Sequence, residues 1–200
     1  MAGRHPLSLS ASTRPPAQPL TSPGIFNGTA NLTHATPVPV GVTRAAVLAM
    51  LRDHEAFLRC DPHMTSFTAV PGGFSTPATL PEALEPLRQG DTQCFSVVDK
   101  VAALPAGLWD KELVSENEFT NLADGLFVRL RSPLSVGMET RWTVRGGEEE
   151  GGEGVEKAPL ELVEEVTISC SRFLVGIVKG QCEAGWKGIH AKMLGGIVAN

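Results

Sequence analysis

The sequence predicts an α+β fold in which a curved antiparallel sheet wraps one long C-terminal helix. Three observations carry this. From Ser171 to Val198, the residues Leu174, Val178, Cys182, Trp186, Ile189, Met193 and Ile197 recur every three or four positions and so lie along one helical stripe. From Gln93 to Cys170 the chain alternates apolar and polar residues in short runs, the pattern of an antiparallel sheet covered on one face. The order is β-α-α-β, a meander of strands, then the helix, which segregates helices from most strands.

Met1 to about Gly24 is rich in Pro, Ser, Ala and Thr without apolar periodicity and reads as a disordered tail. Residues 25–200 are left as one domain of ordinary size. Ala30–Val40 alternates and ends at Pro37 and Pro39, as a first strand would. Thr43 is placed to cap a short helix through Leu51, and His54–Arg59 is a second helical piece stopped by Asp61-Pro62. Met64–Val70 is a short strand, and Pro71–Gln89 is a loop holding a helical turn at Leu80–Leu87.

Gln93–Val101 is a β-branched run, followed by a turn at Leu104-Pro105-Ala106-Gly107 before Trp109. Glu112–Thr120 alternates, and Asn121–Gly125 is a hairpin connection closing on Asp-Gly. Leu126, Val128 and Leu130 then alternate with Phe127, Arg129 and Arg131, while Val136–Arg145 sets Met138 and Trp142 opposite Glu139, Arg141 and Arg145. Leu160–Cys170 puts Leu160, Leu162, Glu164, Val166 and Ile168 on one face. Ser171 sits where an N-cap would, ahead of a helix of about 25 residues and about 40 Å. Gly176, Gly180, Gly185 and Gly188 interrupt it before Gly195-Gly196, each costing about 0.5–1 kcal/mol against alanine, so its stability must come from packing.

The formal charge is −5, which argues against a nucleic-acid partner, since phosphate neutralisation needs a basic face. That charge is local: the loop Gly146–Glu156 carries five glutamates and no base, and the rest has 17 acids against 17 Lys and Arg. No run approaches the length of a membrane span, and no signal peptide is visible ahead of the domain. The four cysteines (Cys60, Cys94, Cys170, Cys182) are widely spaced without a CxxC pair and read as buried free thiols, which points to the cytoplasm. Oligomeric state is not legible.

Several stretches together resemble the START-like, or helix-grip, superfamily. At residue level they are similar to one branch of it, a domain of unknown function found in filamentous fungi. They are Asp53-His54-Glu55-Ala56-Phe57-Leu58-Arg59 with Asp61-Pro62, Leu104-Pro105-Ala106-Gly107-Leu108-Trp109, Asp124-Gly125-Leu126, Arg141-Trp142 and Gly176-Ile177-Val178-Lys179. The resemblance covers roughly residues 30–197. It implies a curved sheet gripping the last helix. The wider superfamily includes lipid and sterol carriers, plant hormone-binding proteins, polyketide cyclases and chaperone co-factors, among which fold alone does not choose.

Candidate chemistry is sparse. Cys60 and His63 have the spacing of half a zinc site, but no second ligand pair appears, so no metal or other cofactor is expected. The plainer reading of that stretch leaves His54 and Glu55 exposed at a helix junction, with Phe57 and Leu58 in the core. Arg129, Arg131, Arg141 and Arg145 alternate away from the apolar face, toward Glu116, Glu118 and Glu139, as solvated cross-strand pairs. Glu164 is the exception, an acid on an apolar face. A buried carboxylate without a partner costs several kcal/mol, so it either meets a ligand or positive partner or is turned outward by a bulge. His34 shares the Leu32 face of the first strand.

The leading expectation is a non-enzymatic binder or carrier of a small apolar molecule, a lipid, sterol or polyketide-like compound, held between sheet and last helix. Its expected contacts are His34, Phe95, Met138, Trp142, Glu164, Val178, Cys182 and Trp186. The alternatives are a polyketide cyclase-like enzyme using His34 or Glu164 as acid or base, and a scaffold with a filled interior.

Overall fold

The computed structural model describes residues 27–76, 79–100, 112–147 and 159–198. The tail, the turn before Trp109 and the glutamate run of the acidic loop lie outside the described residues. Seven strands form one curved antiparallel sheet in the order β1-β7-β6-β5-β4-β3-β2. They are β1 (Asn27–Pro37), β2 (Met64–Ala69), β3 (Gln93–Lys100), β4 (Glu112–Leu122), β5 (Gly125–Ser132), β6 (Val136–Arg145) and β7 (Glu161–Ser171). The helices are α1 (Arg44–Arg52), α2 (His54–Leu58) and α3 (Val175–Val198). Strands β2 to β7 run as a meander, and β1 joins beside β7, so β1 and β2 occupy opposite edges. The chain crosses from one edge to the other through α1 and α2, and α3 packs against β1, β7 and α1. The architecture is the α+β arrangement that the alternation and the helical stripe predict. Among the described residues, no helix is long and apolar enough to cross a membrane.

Local chemistry sets the boundaries. Thr43 Oγ1 accepts from the Ala46 amide at 3.1 Å and starts α1. Asp53 does two jobs: its amide closes α1 on the Ala49 and Met50 carbonyls, and its side chain caps α2 by accepting from the Ala56 amide. Asp61 Oδ1 then accepts from the His63 amide at 2.8 Å, turning the chain into β2.

Three expectations change in the structure. Ser171 is not the cap of α3. It ends β7 in the ladder opposite Asn27, its hydroxyl and carbonyl accept from the Phe173 and Leu174 amides, and the helix starts at Val175. The β4–β5 connection is tighter than Asn121–Gly125: Leu122 pairs with Gly125, so only Ala123 and Asp124 form the turn and Gly125 is a strand residue. His54 is buried, at 3 % exposure, with its Nδ1 and Nε2 each 3.0 Å from a side-chain amide oxygen, of Gln93 and Asn121. Local pattern could not show this, because both partners come from other elements. A Cβ built on any of the six glycines of α3 meets nothing within 4 Å, so none of them marks a close approach of another element.

The concave face carries two buried clusters. One joins Val47 and Leu51 of α1 to Phe95, Phe119, Leu126 and Trp142 of the sheet and to Met193 and Leu194 of α3. The other joins Leu32, Val166, Ile168 and Cys170 to Met138 and to Val175, Val178 and Cys182 of α3. On the convex face the arginines find acids: Arg129 with Glu139 at 2.9 Å, Arg131 with Glu116 at 3.1 Å, Arg141 with Asp124 at 2.8 Å and Arg145 with Glu165 at 2.9 Å. Arg141 is thus tied to the β4–β5 turn.

Candidate functional site

Between sheet and α3 lies a cavity of about 350 Å³ whose wall takes residues from both clusters. That volume falls within the roughly 300–1,000 Å³ common for small-molecule sites. Phe57 and Leu58 of α2, Val97 of β3, Val128 and Leu130 of β5, Met138 and Trp142 of β6, Val166 of β7, Leu174 just ahead of α3, and Val178 and Ile189 of α3 give it an apolar surface. Exposed Pro62 and His63 also line it, so this end opens to solvent. Gly185 is the α3 glycine on the wall.

A polar cluster interrupts that surface. Glu164 of β7 sits in register between His34 of β1 and Trp142 of β6. Its side chain, 13 % exposed, accepts at Oε2 from His34 Nδ1 at 2.9 Å. No described residue hydrogen-bonds its Oε1. The same Oε2 is 3.5 Å from His190 Nε2, in reach for electrostatic attraction but not aligned as a hydrogen bond. His190, 1 % exposed, is 2.8 Å from Thr36 Oγ1 through Nδ1. A lone pair aimed at a carboxylate would be repelled, so the Nε2 proton faces Glu164 and Nδ1 accepts from the Thr36 hydroxyl. Trp186 closes the cluster, stacked on His34 with centroids 4.7 Å apart and 7° between planes, and edge-on to His190 at 5.2 Å.

This accounts for the acid on the apolar face. No bulge turns Glu164 away, since its ladders with β1 and β6 are continuous. The neighbouring thiol of Cys182 is pushed up to about 11, by burial first and then by the Glu164 carboxylate. It stays protonated at neutral pH and is a poor nucleophile.

A second acid stands near the opening. Burial, reinforced by Asp61 and opposed by His63, pushes the Asp99 carboxyl from 3.8 up to about 6. The folded state then holds this proton more tightly than the unfolded chain, so ionised Asp99 costs stability. The cost is absent below the unfolded value of 3.8 and fully present above about 6. Asp99→Asn is therefore expected to stabilise the protein near pH 8 by about 1–2 kcal/mol, after discounting for solvent at the cavity opening. Near pH 4 variant and wild type should unfold at similar denaturant concentrations. Equal midpoints at both pH values would show that Asp99 is well solvated.

Of the eight residues expected to contact a ligand, Met138, Trp142, Glu164, Val178, Cys182 and Trp186 line this cavity. His34 stands behind Glu164 as its hydrogen-bond partner. Phe95 does not reach the wall. It packs edge-on against Phe67 at 6.0 Å and Phe119 at 5.5 Å, because β3 turns it toward the α1–α2 end of the core. Sequence reasoning missed His190, although it follows Trp186 by one helical turn, because a search for apolar recurrence passes over a histidine. It also missed Asp99 and Asn117, both on the wall. Among the described residues no group of three His, Cys, Asp or Glu side chains is arranged to hold a metal.

A family model, described as Domain of unknown function (DUF7053), matches residues 27–198. No curated protein matches the chain. Among solved structures, Ara h 8.0201 is similar at 13 % identity and a TM-score of 0.50, over 86 % of this chain and all 100 % of that one. The protein TTHA0849 from Thermus thermophilus is similar at 15 % identity and 0.50, over 86 % and 98 %. The di-domain ARO/CYC StfQ from the steffimycin biosynthetic pathway is similar at 11 % identity and 0.51, over 83 % of this chain and 48 % of that one. At these identities the likeness shows the fold alone, the START/Bet v1-like helix-grip arrangement.

Proposed function

The chain belongs to the DUF7053 family, and from its cavity we propose that it binds or carries a small hydrophobic molecule, lipid, sterol or polyketide-like, between sheet and α3. One observation carries the reading. A cavity of about 350 Å³ lies between the sheet and α3, and its wall is mostly apolar with one anchored carboxylate. Unfilled apolar space costs stability roughly in proportion to its volume, so a fold that keeps it gains something from an occupant. This weighs against the packed-scaffold alternative. His34, Met138, Trp142, Glu164, Val178, Cys182 and Trp186 remain the proposed contacts, His34 acting through Glu164.

A second reading, a polyketide cyclase or dehydratase-like enzyme, is favoured by the Glu164–His34–His190 cluster, which presents a carboxylate oxygen to the cavity with two imidazoles behind it. The fold likeness to the ARO/CYC protein of the steffimycin pathway is consistent with it. Turnover needs a substrate carbonyl beside Glu164; carriage needs only the cavity.

The test is Gly185→Leu. No neighbour blocks a side chain there, and the new side chain would enter the cavity. Leucine is also a better helix former by up to about 1 kcal/mol. The expected result is a protein at least as stable as wild type whose affinity for the neutral fluorophore N-phenylnaphthylamine falls about ten-fold or more. Unchanged affinity would mean that the probe binds elsewhere and that the cavity is not the site.

A further inference from the structure

The polar groups on the cavity wall differ in kind as well as in number. Glu164 contributes Oε1, which no described residue hydrogen-bonds, beside an Oε2 already engaged by His34. Asn117, 5 % exposed, also lines the wall. Its amide orientation follows from its neighbour. The Ser115 hydroxyl directs its proton to the Val97 carbonyl at 3.5 Å and so accepts from Asn117 Nδ2 at 2.9 Å, which leaves Asn117 Oδ1 as an acceptor without a described partner. Asp99 and Asp61 add two more carboxyls toward the open end. Among the described lining residues there is no Lys or Arg. Opposing these acids are His63 at the opening and the amino end of α3, worth about half a unit charge. Thr140 and Ser132, the latter with a buried Oγ that no described residue hydrogen-bonds, are hydroxyls that serve either way, and exposed Gln181 adds an amide that can donate or accept.

An apolar space that presents acceptors and carboxyls, with no fixed cation, is complementary to donors. We propose that the natural ligand is an apolar molecule whose polar groups are hydrogen-bond donors, an alcohol, phenol or amine. The cavity discriminates against carboxylate- and phosphate-bearing amphiphiles of the same shape. This rests on the hydrophobic-ligand reading above and narrows it: a fatty acid or phospholipid would bring an anion against Glu164 and Asp99 with no arginine to receive it. A neutral hydroxyl placed at Glu164 Oε1 or Asn117 Oδ1 instead satisfies an acceptor that the fold leaves open.

The experiment uses the full chain and three competitors with the same twelve-carbon tail, dodecanol, dodecylamine and dodecanoate. Each displaces N-phenylnaphthylamine near pH 8, below its micelle-forming concentration. Dodecanol and dodecylamine should displace the probe at concentrations about ten-fold or more below that needed for dodecanoate. The deficit of dodecanoate should shrink in Asp99→Asn, a variant expected to fold at least as well as wild type, and in Glu164→Gln. If dodecanoate competes as well as the alcohol, or if both variants keep the wild-type deficit, the assignment of ligand class is wrong while the hydrophobic cavity stands. If the probe itself fails to bind wild type, the cavity reading fails and this inference with it.

Discussion

Gly125→Ala is expected to cost more than about 4 kcal/mol, or to leave no cooperatively folded protein, because the new methyl group has nowhere to go. A Cβ at this position would lie 1.8 Å from the Trp142 carbonyl oxygen, 2.8 Å from its carbonyl carbon and 3.1 Å from Thr143 Cα. All three are backbone atoms of β6, so no rotamer change relieves the clash. Either the two-residue turn must rebuild or the end of the β5–β6 ladder must open. Both moves displace Trp142, whose indole packs edge-on against Phe57 at 5.4 Å and tilted against His190 at 5.1 Å. The hairpin and the cavity wall therefore fail together. Urea unfolding followed by tryptophan fluorescence reads this directly, and a midpoint near that of wild type would show that the strand pair has slack the structure does not display.

Trp186→Ala is expected to cost about 3 kcal/mol, the lower end of the range for removing a large aromatic from a core. The indole is half-buried, which limits the loss, but it is held between two imidazoles: flat on His34 and edge-on to His190. Removing it opens space that merges with the existing cavity, and it frees His34 to leave Glu164. Trp186→Phe keeps a ring against both histidines and should recover most of the stability, since aromatic pairs contribute about 0.5–1.5 kcal/mol beyond burial. If alanine leaves the denaturant midpoint within a few tenths of a kcal/mol of wild type, α3 is held by Met193 and Leu194 alone and the aromatic cluster is incidental to stability.

What the sequence by itself determined are the features that depend on near neighbours. Alternation along β5, β6 and β7 follows from the two-residue pleat, so the inward set of Leu126, Met138, Trp142 and Val166 could be read without knowing what they face. Capping by Thr43 and the stop at Asp61-Pro62 are chemistry within four residues. The long final helix is legible because its stripe persists for six turns. Even the inward direction of Glu164 and its sharing of a face with apolar neighbours come from parity alone.

The tertiary structure decided every feature in which two distant stretches meet. Parity puts His34 and Glu164 on inward faces, but only the register of β1 against β7 sets them directly opposite, 130 positions apart in the chain. His190 arrives from α3, where a pattern search weights it as polar, and burial follows from Thr36 and Glu164 waiting beneath it. His54 looks like a surface helix end until Gln93 and Asn121 are brought to its two nitrogens. Phe95 has the parity of a wall residue and lies too far along the groove to be one. The cavity itself is volume left over when seven strands curve around one helix, and no local pattern encodes what fails to be filled.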